Sequence, residues 1–433
     1  MSAAAGRLPA RRRLGIGAWA LYDWADSSFN TVIGTFVFSV YFARGIYGDE
    51  TQGAAVWGYA MAVAGFFIAV GSPVLGAIAD RAGPRKPWIA AFMVVCVAAT
   101  SLLWFAEPDP AFVTLALVFA VIATIAHNMG QVFYNAMLPD VAPPGKAGTL
   151  SGWAWGLGYA GGLGALAVCL LLLVLPEDPA FGLGTENAAN IRATALVTAV
   201  WFLVFALPML LLTPDRPSAA LGVRGSVRAG FAQIRGTLAK LRHQRPLVLF
   251  LVASAVYRDG LATLFAVGGL FAAGAFGMDF REILIFAIGL NVTAAGGSWL
   301  FAALTDRVGA KRMVLLGLAG LIAFGTAILF VTDWIAFLVL ALILGLFVGP
   351  AQSASRVIMA KLAPPSMMTE MFGLYTMTGK AIAFVGPLGF GALTDLFDSQ
   401  RAGLTVILAM WLLGGALLLF VRVPARDAGA DAA

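Results

Sequence analysis

The chain has 433 residues, of which 61% are hydrophobic and 12% charged, with a formal net charge of +6 and a mean hydropathy of +0.89. Soluble domains are about 45–50% apolar and about 25% charged, so this composition excludes a soluble globular protein. Long continuous apolar runs exclude a β-barrel, whose strands alternate in polarity over about ten residues, and they predict an all-α membrane protein.

Twelve apolar segments are long enough to cross a bilayer, and the longest polar interval follows the sixth. The predicted spans lie near 17–42, 56–79, 88–106, 111–137, 148–175, 193–213, 247–276, 282–304, 313–331, 335–359, 370–394 and 402–422. We therefore predict twelve transmembrane helices in two pseudo-symmetric six-helix bundles around a central cavity. Residues 1–213 form the N-terminal bundle, 214–246 a cytoplasmic linker and 247–433 the C-terminal bundle.

Span 1 carries two carboxylates, Asp23 and Asp26, near its start. An acidic side chain at mid-bilayer costs about 2.5–3.5 kcal/mol, so such residues face a bundle interior or a water-filled cavity. At about 100° per residue, both aspartates fall on one helix face with Ser27 and Asn30. We predict that this face is wet and that the two acids bind a proton or a solute; helix capping is the alternative.

The loop after span 2 is repeated after span 8. The first copy reads Asp80-Arg81-Ala82-Gly83-Pro84-Arg85-Lys86, and the second reads Asp306-Arg307-Val308-Gly309-Ala310-Lys311-Arg312. A glycine turn flanked by an acid and bases suits a short cytoplasmic loop, in which the acid caps a helix end and the bases face anionic headgroups. We predict paired gating loops in which the key residues are Asp80, Arg81, Gly83, Arg85, Asp306, Arg307, Gly309 and Lys311.

Polar residues within the remaining spans concentrate on spans 4, 7 and 10, which with span 1 are the first members of the four three-span groups, and span 11 adds one lysine. They are His127, Asn128, Gln131, Tyr134 and Asn135 on span 4, Tyr257, Arg258 and Asp259 on span 7, Gln352 and Arg356 on span 10, and Lys380 on span 11. If the charged members and the two span 1 acids faced lipid, the cost would be about 15–20 kcal/mol, which exceeds a typical folding stability. These side chains must therefore face one another, water or a ligand.

The linker between the halves contains apolar residues at helical spacing from Val227 to Leu241, with basic residues on other faces. This pattern predicts a basic amphipathic helix lying on the membrane surface. Its simplest role is a tether, and a regulatory or partner-binding role is the alternative.

Lysine and arginine are distributed unevenly between the two sides of the bundle. Of the 28, the loops of one side hold only Arg44, Arg192, Arg281 and Arg401, whereas most of the others lie on the side of both termini. By the positive-inside rule we predict that both termini are cytoplasmic. We expect the chain to lie in the cell (inner) membrane. This placement accounts for the basic net charge, and nucleic-acid binding is not predicted.

The paired loops resemble the signature loop of the major facilitator superfamily; Gly76 precedes the first copy as that motif prefers, whereas Ala302 precedes the second. Within that superfamily the chain resembles the branch related to the autophagy-linked vacuolar amino-acid effluxers and their bacterial relatives. The resembling segments are residues 22–27, 134–140, 159–162, 257–260, 352–356 and 372–375, with Lys380, Gly386 and Pro387.

The resemblance implies that spans 1, 4, 7 and 10 line a central cavity. It also favours amino acids as the solute, so we predict a secondary active transporter of amino acids or another carboxylate-bearing metabolite that works by alternating access. The carboxylates within the spans add the hypothesis that transport is coupled to protons. Efflux of drugs or lipid head-group compounds, and a ligand sensor that does not transport, are the alternatives. We expect a monomer that interacts with its solute, protons and the lipid bilayer, with no cofactor, no metal and no enzyme activity.

Roles for individual residues follow from their chemistry. Arginine presents a planar donor fork that matches a carboxylate, so Arg356 is the first candidate ligand, with a gating contact as its alternative. The predicted substrate-binding set is Arg356, Tyr257, Asn128, Gln131, Tyr134, Gln352 and Lys380, and the predicted proton-coupling set is Asp23, Asp26 and Asp259. His127 is either a proton relay or a packing residue. An ion pair between Asp26 and Arg258 is predicted to join the two halves.

Overall fold

The computed structural model describes residues 9–217, 223–241 and 244–424. Within these residues, twelve helices are long and apolar enough to cross a membrane, which confirms the predicted number. They are Ala10–Ile46, Glu50–Ala82, Lys86–Phe105, Pro110–Ala136, Ala147–Val174, Glu186–Leu212, Arg245–Phe276, Ile285–Val308, Ala310–Phe330, Trp334–Leu362, Pro365–Phe397 and Gln400–Leu419. Several begin or end well outside the predicted apolar segments, because helical hydrogen bonding continues into their polar flanks.

Spans 1–6 and spans 7–12 form two bundles whose most extensive contacts are made by two helix pairs. Span 2 packs against span 11, and span 5 packs against span 8. Small residues allow this approach: a Cβ added to Gly76 would lie 2.6 Å from the Thr369 carbonyl oxygen, and one added to Gly152 would lie 2.7 Å from the Ala302 Cβ. At the second contact the glycine is therefore supplied by span 5 instead of span 8.

The acid of each repeated loop caps a helix of the other half. Asp80 accepts hydrogen bonds from the backbone N–H groups of residues 369–370 at the start of span 11, at 3.0 and 2.9 Å. Asp306 accepts them from residues 148–149 at the start of span 5, at 2.6 and 2.8 Å. A carboxylate is favourable there because the first amides of a helix are unpaired and carry partial positive charge. We call the end of the bundle that carries these loops the motif side.

The rest of each loop is held by backbone geometry and by its bases. Gly83 and Gly309 have φ values of 101° and 91°, in the region that favours glycine. Arg85 is buried and donates to the Asp140 carboxylate at 2.5 Å. Burial lowers the pKa of Arg85, and the negative charge of Asp140 opposes that shift. Lys311, at the matching position of the second loop, instead donates to backbone carbonyls at the end of span 12.

The linker helix, Val223–Leu241, is present and packs on both bundles, and its position on the membrane surface stays a prediction. Gln233 Nε2 donates to Glu370 Oε2 of span 11 at 2.5 Å, and the helix also lies along span 2. Phe231, on the apolar stripe, is 50% exposed. The face toward the bundle is small and polar: Ser226, Gly230, Gln233 and Thr237. The helix therefore contacts both halves directly, and does so through its polar side.

Candidate functional site

A cavity of about 380 Å³ lies between the halves. Spans 1, 4 and 5 form one wall, with Asp23, Asp26, Ser27, Asn30, His127, Asn128, Gln131, Asn135, Trp155 and Gly158. Spans 7, 10 and 11 form the other, with Arg258, Asp259, Leu261, Ala262, Phe265, Gln352, Arg356, Tyr375, Thr376, Gly379, Lys380 and Ala383. The predicted lining by spans 1, 4, 7 and 10 is confirmed, and spans 5 and 11 complete the walls.

Arg356 closes the motif-side end of the cavity. Its Nη1 lies 3.1 Å from Asp23 Oδ2 and donates to Asn135 Oδ1 at 3.1 Å. Its Nε and Nη2 donate to the hydroxyl and the carbonyl oxygen of Ser151, both at 2.9 Å. Each guanidinium nitrogen is thus engaged by the N-terminal half. In this conformation the predicted carboxylate-binding fork is filled by protein groups, which fits the alternative assignment of Arg356 as a gate.

The cavity opens away from the motif side. The interhalf contacts of Asp80, Asp306 and Arg356 all lie between the cavity and the motif side. On the opposite side, which we call the far side, the span 11 segment Val385–Phe397 packs on spans 7 and 12 of its own half. Likewise Phe29–Phe36 of span 1 packs on spans 5 and 6. The structure is therefore one access state, sealed at one end.

Asp26 belongs to a hydrogen-bonded network in the N-terminal wall. Its Oδ1 lies 3.1 Å from His127 Nδ1, and Gln131 Nε2 donates to its Oδ2. Asn135 donates to Gln131 Oε1 at 3.1 Å and accepts from Arg356. His127, Gln131 and Asn135 follow one another at intervals of one turn on span 4. A continuous chain of hydrogen bonds therefore runs from Asp26 through Gln131 and Asn135 to Arg356.

The predicted Asp26–Arg258 ion pair is not formed, so this prediction is wrong for the structure. Asp26 is held by His127 and Gln131 of its own half. The Arg258 guanidinium instead lies over the ring of Tyr375, 4.0 Å from its centroid. Opposite charges suggested the pairing, but the rotational setting of span 4 beside span 1 gives Asp26 closer partners.

Asp259 and Lys380 flank a break in span 11. One helix ends at Ile382 and the next begins at Val385. Asp259 Oδ2 accepts from the Gly386 N–H at 2.9 Å and so caps the second helix, while its Oδ1 is buried without a hydrogen-bond partner among the described residues. Lys380 lies in the last turn of the first helix and is exposed to the cavity.

Two predicted substrate ligands, Tyr134 and Tyr257, do not line the cavity. Tyr134 is fully buried and stacks on Trp19 with ring centroids 4.5 Å apart. Tyr257 is also fully buried and shares a 2.6 Å hydrogen bond with Ser355. Both are packing residues here, because the hydroxyl of a buried tyrosine finds a local partner. The roles predicted for Asn128, Gln131, Gln352 and Lys380 remain predictions, although all four reach the cavity.

Sequence reasoning missed Ser151, which supplies two acceptors to Arg356. It lies in the glycine-rich part of span 5, which composition assigns to helix packing. One signal could have found it: Ser151 is a polar residue on the same helix face as Gly148 and Gly152. Within the described residues there is no group of three or more His, Cys, Asp or Glu side chains that could hold a metal ion.

Comparisons with known families and proteins agree with this geometry. A family profile described as "Vacuole effluxer Atg22 like" matches residues 144–430, and one described as "Major Facilitator Superfamily" matches residues 7–177. An "Uncharacterized MFS-type transporter YxiO" of Bacillus subtilis (strain 168) is 27% identical over 407 residues, covering 93% of this chain and 94% of the relative. "Autophagy-related protein 22-1" of Aspergillus niger is 28% identical over 324 residues, covering 69% of this chain. The matched region spans about half (51%) of that fungal relative.

Solved structures give the same fold. The proton:xylose symporter XylE superimposes with a TM-score of 0.75 at 14% identity, covering 96% of each chain. FucP, a major facilitator superfamily transporter in the outward conformation, gives a TM-score of 0.74 at 14% identity, covering 96% of this chain and all of the other. At this level of identity the likeness concerns the arrangement of helices and nothing finer.

Proposed function

This chain belongs to the Atg22-like vacuole effluxer family within the major facilitator superfamily, and from that premise we propose that it is a secondary active transporter of amino acids or other small carboxylate-bearing solutes. The solute enters the cavity from one side, the halves rock, and the solute leaves from the other side. A proton moves with or against it.

The observation that carries this proposal is a charged cavity sealed at one end only. Three cations and three carboxylates line it, so it offers both signs of charge to a solute. A zwitterion or an anion with further polar groups fits such walls better than an apolar drug, whose binding would leave Arg258 and Lys380 without a counter-ion. The charge content therefore favours amino acids over the drug-efflux alternative.

The motif-side contacts support alternating access. Asp80, Asp306 and Arg356 each bridge the halves through hydrogen bonds that a rigid-body rotation could break together. The contacts are polar and join preformed helix ends and side chains, so they can break and re-form without unfolding either bundle. Relative motion of two such bundles around a central site is the general mechanism of inverted-repeat transporters.

We place the motif side in the cytoplasm, with both termini, and the chain in the cell membrane. The placement rests on the excess of lysine and arginine on that side of the bundle. In the described conformation the cavity would then face out of the cell.

For proton coupling we propose Asp26 together with His127, with Asp23 and Asp259 as further candidates. The neighbours of Asp26 are an imidazole and a neutral amide, so no permanent cation fixes its charge. Asp23, by contrast, faces the guanidinium of Arg356. A carboxylate whose partner can itself accept a proton is suited to exchange protons with water in the cavity.

Purified protein in liposomes tests the proposal. We expect radiolabelled amino acids to accumulate under a pH gradient and the accumulation to collapse when a protonophore is added. Liposomes without protein, under a pH gradient of the same size, give the background uptake. Absence of flux for all twenty amino acids and for simple mono- and dicarboxylates would contradict the proposed function, whereas binding without flux would favour the sensor alternative.

A further inference from the structure

Arg258 and Lys380 lie side by side on the C-terminal wall of the cavity. The Arg258 guanidinium approaches Gly379 so closely that an added Cβ there would lie 3.5 Å from Nη1. Gly379 immediately precedes Lys380, and both cations line the same cavity. Two positive groups are therefore concentrated on one patch between spans 7 and 11.

Arg258 is held in place by contacts that leave most of its donors unused. Its guanidinium stacks over the Tyr375 ring at 4.0 Å, and Nη1 donates to the Tyr375 carbonyl oxygen at 3.4 Å. Stacking fixes the plane of the fork without consuming its N–H groups. Among the described residues only Tyr375 contacts the Arg258 guanidinium by hydrogen bonding or stacking, so the donors that Tyr375 does not engage are available to a ligand in the cavity.

Each carboxylate that lines the cavity contacts a group other than Arg258 or Lys380, although Asp259 Oδ1 has no hydrogen-bond partner among the described residues. Asp23 pairs with Arg356, and Asp26 is held by His127 and Gln131. Asp259 turns one oxygen toward the Gly386 N–H. Within the described part of the chain, neither Arg258 nor Lys380 has a carboxylate within 4.0 Å, which is unusual for two cations at membrane depth.

We propose that Arg258 and Lys380 form the anion-binding subsite of the transporter and receive the carboxylate of the solute. Arg356, whose donors are taken up by the gate, does not contact it. The inference rests on the proposed function and narrows it: a solute must carry an anionic group, and one in which that group is neutralised must bind poorly. The carboxylate accepts from the Arg258 fork while Lys380 supplies a second, more mobile donor.

The test compares each amino acid with its carboxamide. Leucine, tyrosine, lysine and glutamate, and the four matching carboxamides, are measured for binding to wild-type protein and to Arg258→Gln, Lys380→Gln and the double variant. We expect each single substitution to weaken amino-acid binding at least ten-fold and the double substitution to weaken it further. Carboxamide binding should be weak in the wild type and unchanged by either substitution.

Charge-retaining and distant variants separate this subsite from a folding defect. Arg258→Lys and Lys380→Arg should recover most of the affinity lost in the glutamine variants. Arg44→Gln removes a cation that is paired with Glu50 away from the cavity and should bind as the wild type does. Elution as a single symmetric peak, with an unchanged melting temperature, verifies that each variant is folded.

The possible outcomes distinguish the two proposals. Wild-type binding of the amino acids with unchanged affinity in both glutamine variants overturns the subsite and leaves the transporter assignment standing. The same holds if carboxamides bind as tightly as amino acids. If the wild type neither binds nor transports any member of the panel or any simple carboxylate, the proposed function fails, and the subsite assignment falls with it.

Discussion

Arg356 of span 10 and Asp23 of span 1 join the two halves, with Nη1 3.1 Å from Oδ2. Both residues are buried: 3% of the surface of Arg356 and 8% of that of Asp23 is exposed. Because the pair lies between the cavity and the motif side, it must separate when the motif side opens. Removing one member of a buried ion pair costs about 3–5 kcal/mol, since the other charge is left without a partner. The pair therefore biases the protein toward the closed motif side.

Arg356→Gln should shift this bias toward motif-side opening by about 3 kcal/mol. Spin labels at Lys146 and Ser366, exposed on the motif side of the two halves, report the change as a longer interlabel distance. Both native cysteines are buried, which limits background labelling. Asp23→Asn should act in the same direction.

Two controls accompany that measurement. The double variant Asp23→Asn with Arg356→Gln should lie nearer the wild type than either single, because no unpaired charge remains. Arg44→Gln breaks an exposed pair of the kind that contributes about 0–1 kcal/mol, so it should leave the distance unchanged. An Arg356→Gln protein with the wild-type distance distribution would show that the pair does not control access.

Asp80→Asn and Asp306→Asn should each weaken motif-side closure by about 1–2 kcal/mol, because each removes a charged cap from a helix of the opposite half. The two effects should be similar, since each acid accepts from two successive backbone amides. The same label pair measures both. The caps lie on different helix pairs, so the double variant should be additive within about 0.5 kcal/mol. An effect confined to one loop would contradict equal roles for the repeats.

Gly76→Ala should hinder closure and reduce the rate of transport. The new methyl group would lie 2.6 Å from the Thr369 carbonyl oxygen and 2.8 Å from its carbon, and backbone cannot move aside as a side chain does. Gly65→Ala on the same span is the matched control, because nothing lies within 4 Å of its added methyl. Equal transport rates for the two variants would show that close packing of spans 2 and 11 is not required for turnover.

Asp26→Asn should abolish accumulation driven by a pH gradient while sparing exchange of solute for solute, because an amide cannot take up the proton. His127→Gln should reduce accumulation in the same assay. Asp398→Asn serves as the control, since it is an exposed residue with a φ of 47° that asparagine tolerates. Normal proton-driven accumulation by Asp26→Asn would exclude Asp26 as the coupling acid.

Apolar segment length was sufficient to predict twelve spans, and the repeated Asp-Arg loops were sufficient to predict two related halves. Helical periodicity also placed Asp26 and Asn30 on the cavity face of span 1. The partner of Asp26 was not predictable, because it depends on the rotation of span 4, which no residue pattern encodes. Whether Arg356 binds solute or protein likewise depends on the distance to Ser151, a residue in another half.

The linker helix imposes a timing requirement on the transport cycle. It lies along span 2 and donates from Gln233 to Glu370 of span 11, so it touches both of the helices that separate when the motif side opens. One of these attachments has to release in every cycle and then form again. Changes in the linker should therefore alter the turnover number while leaving the affinity of the cavity for its solute untouched, so that transport speed can evolve independently of selectivity.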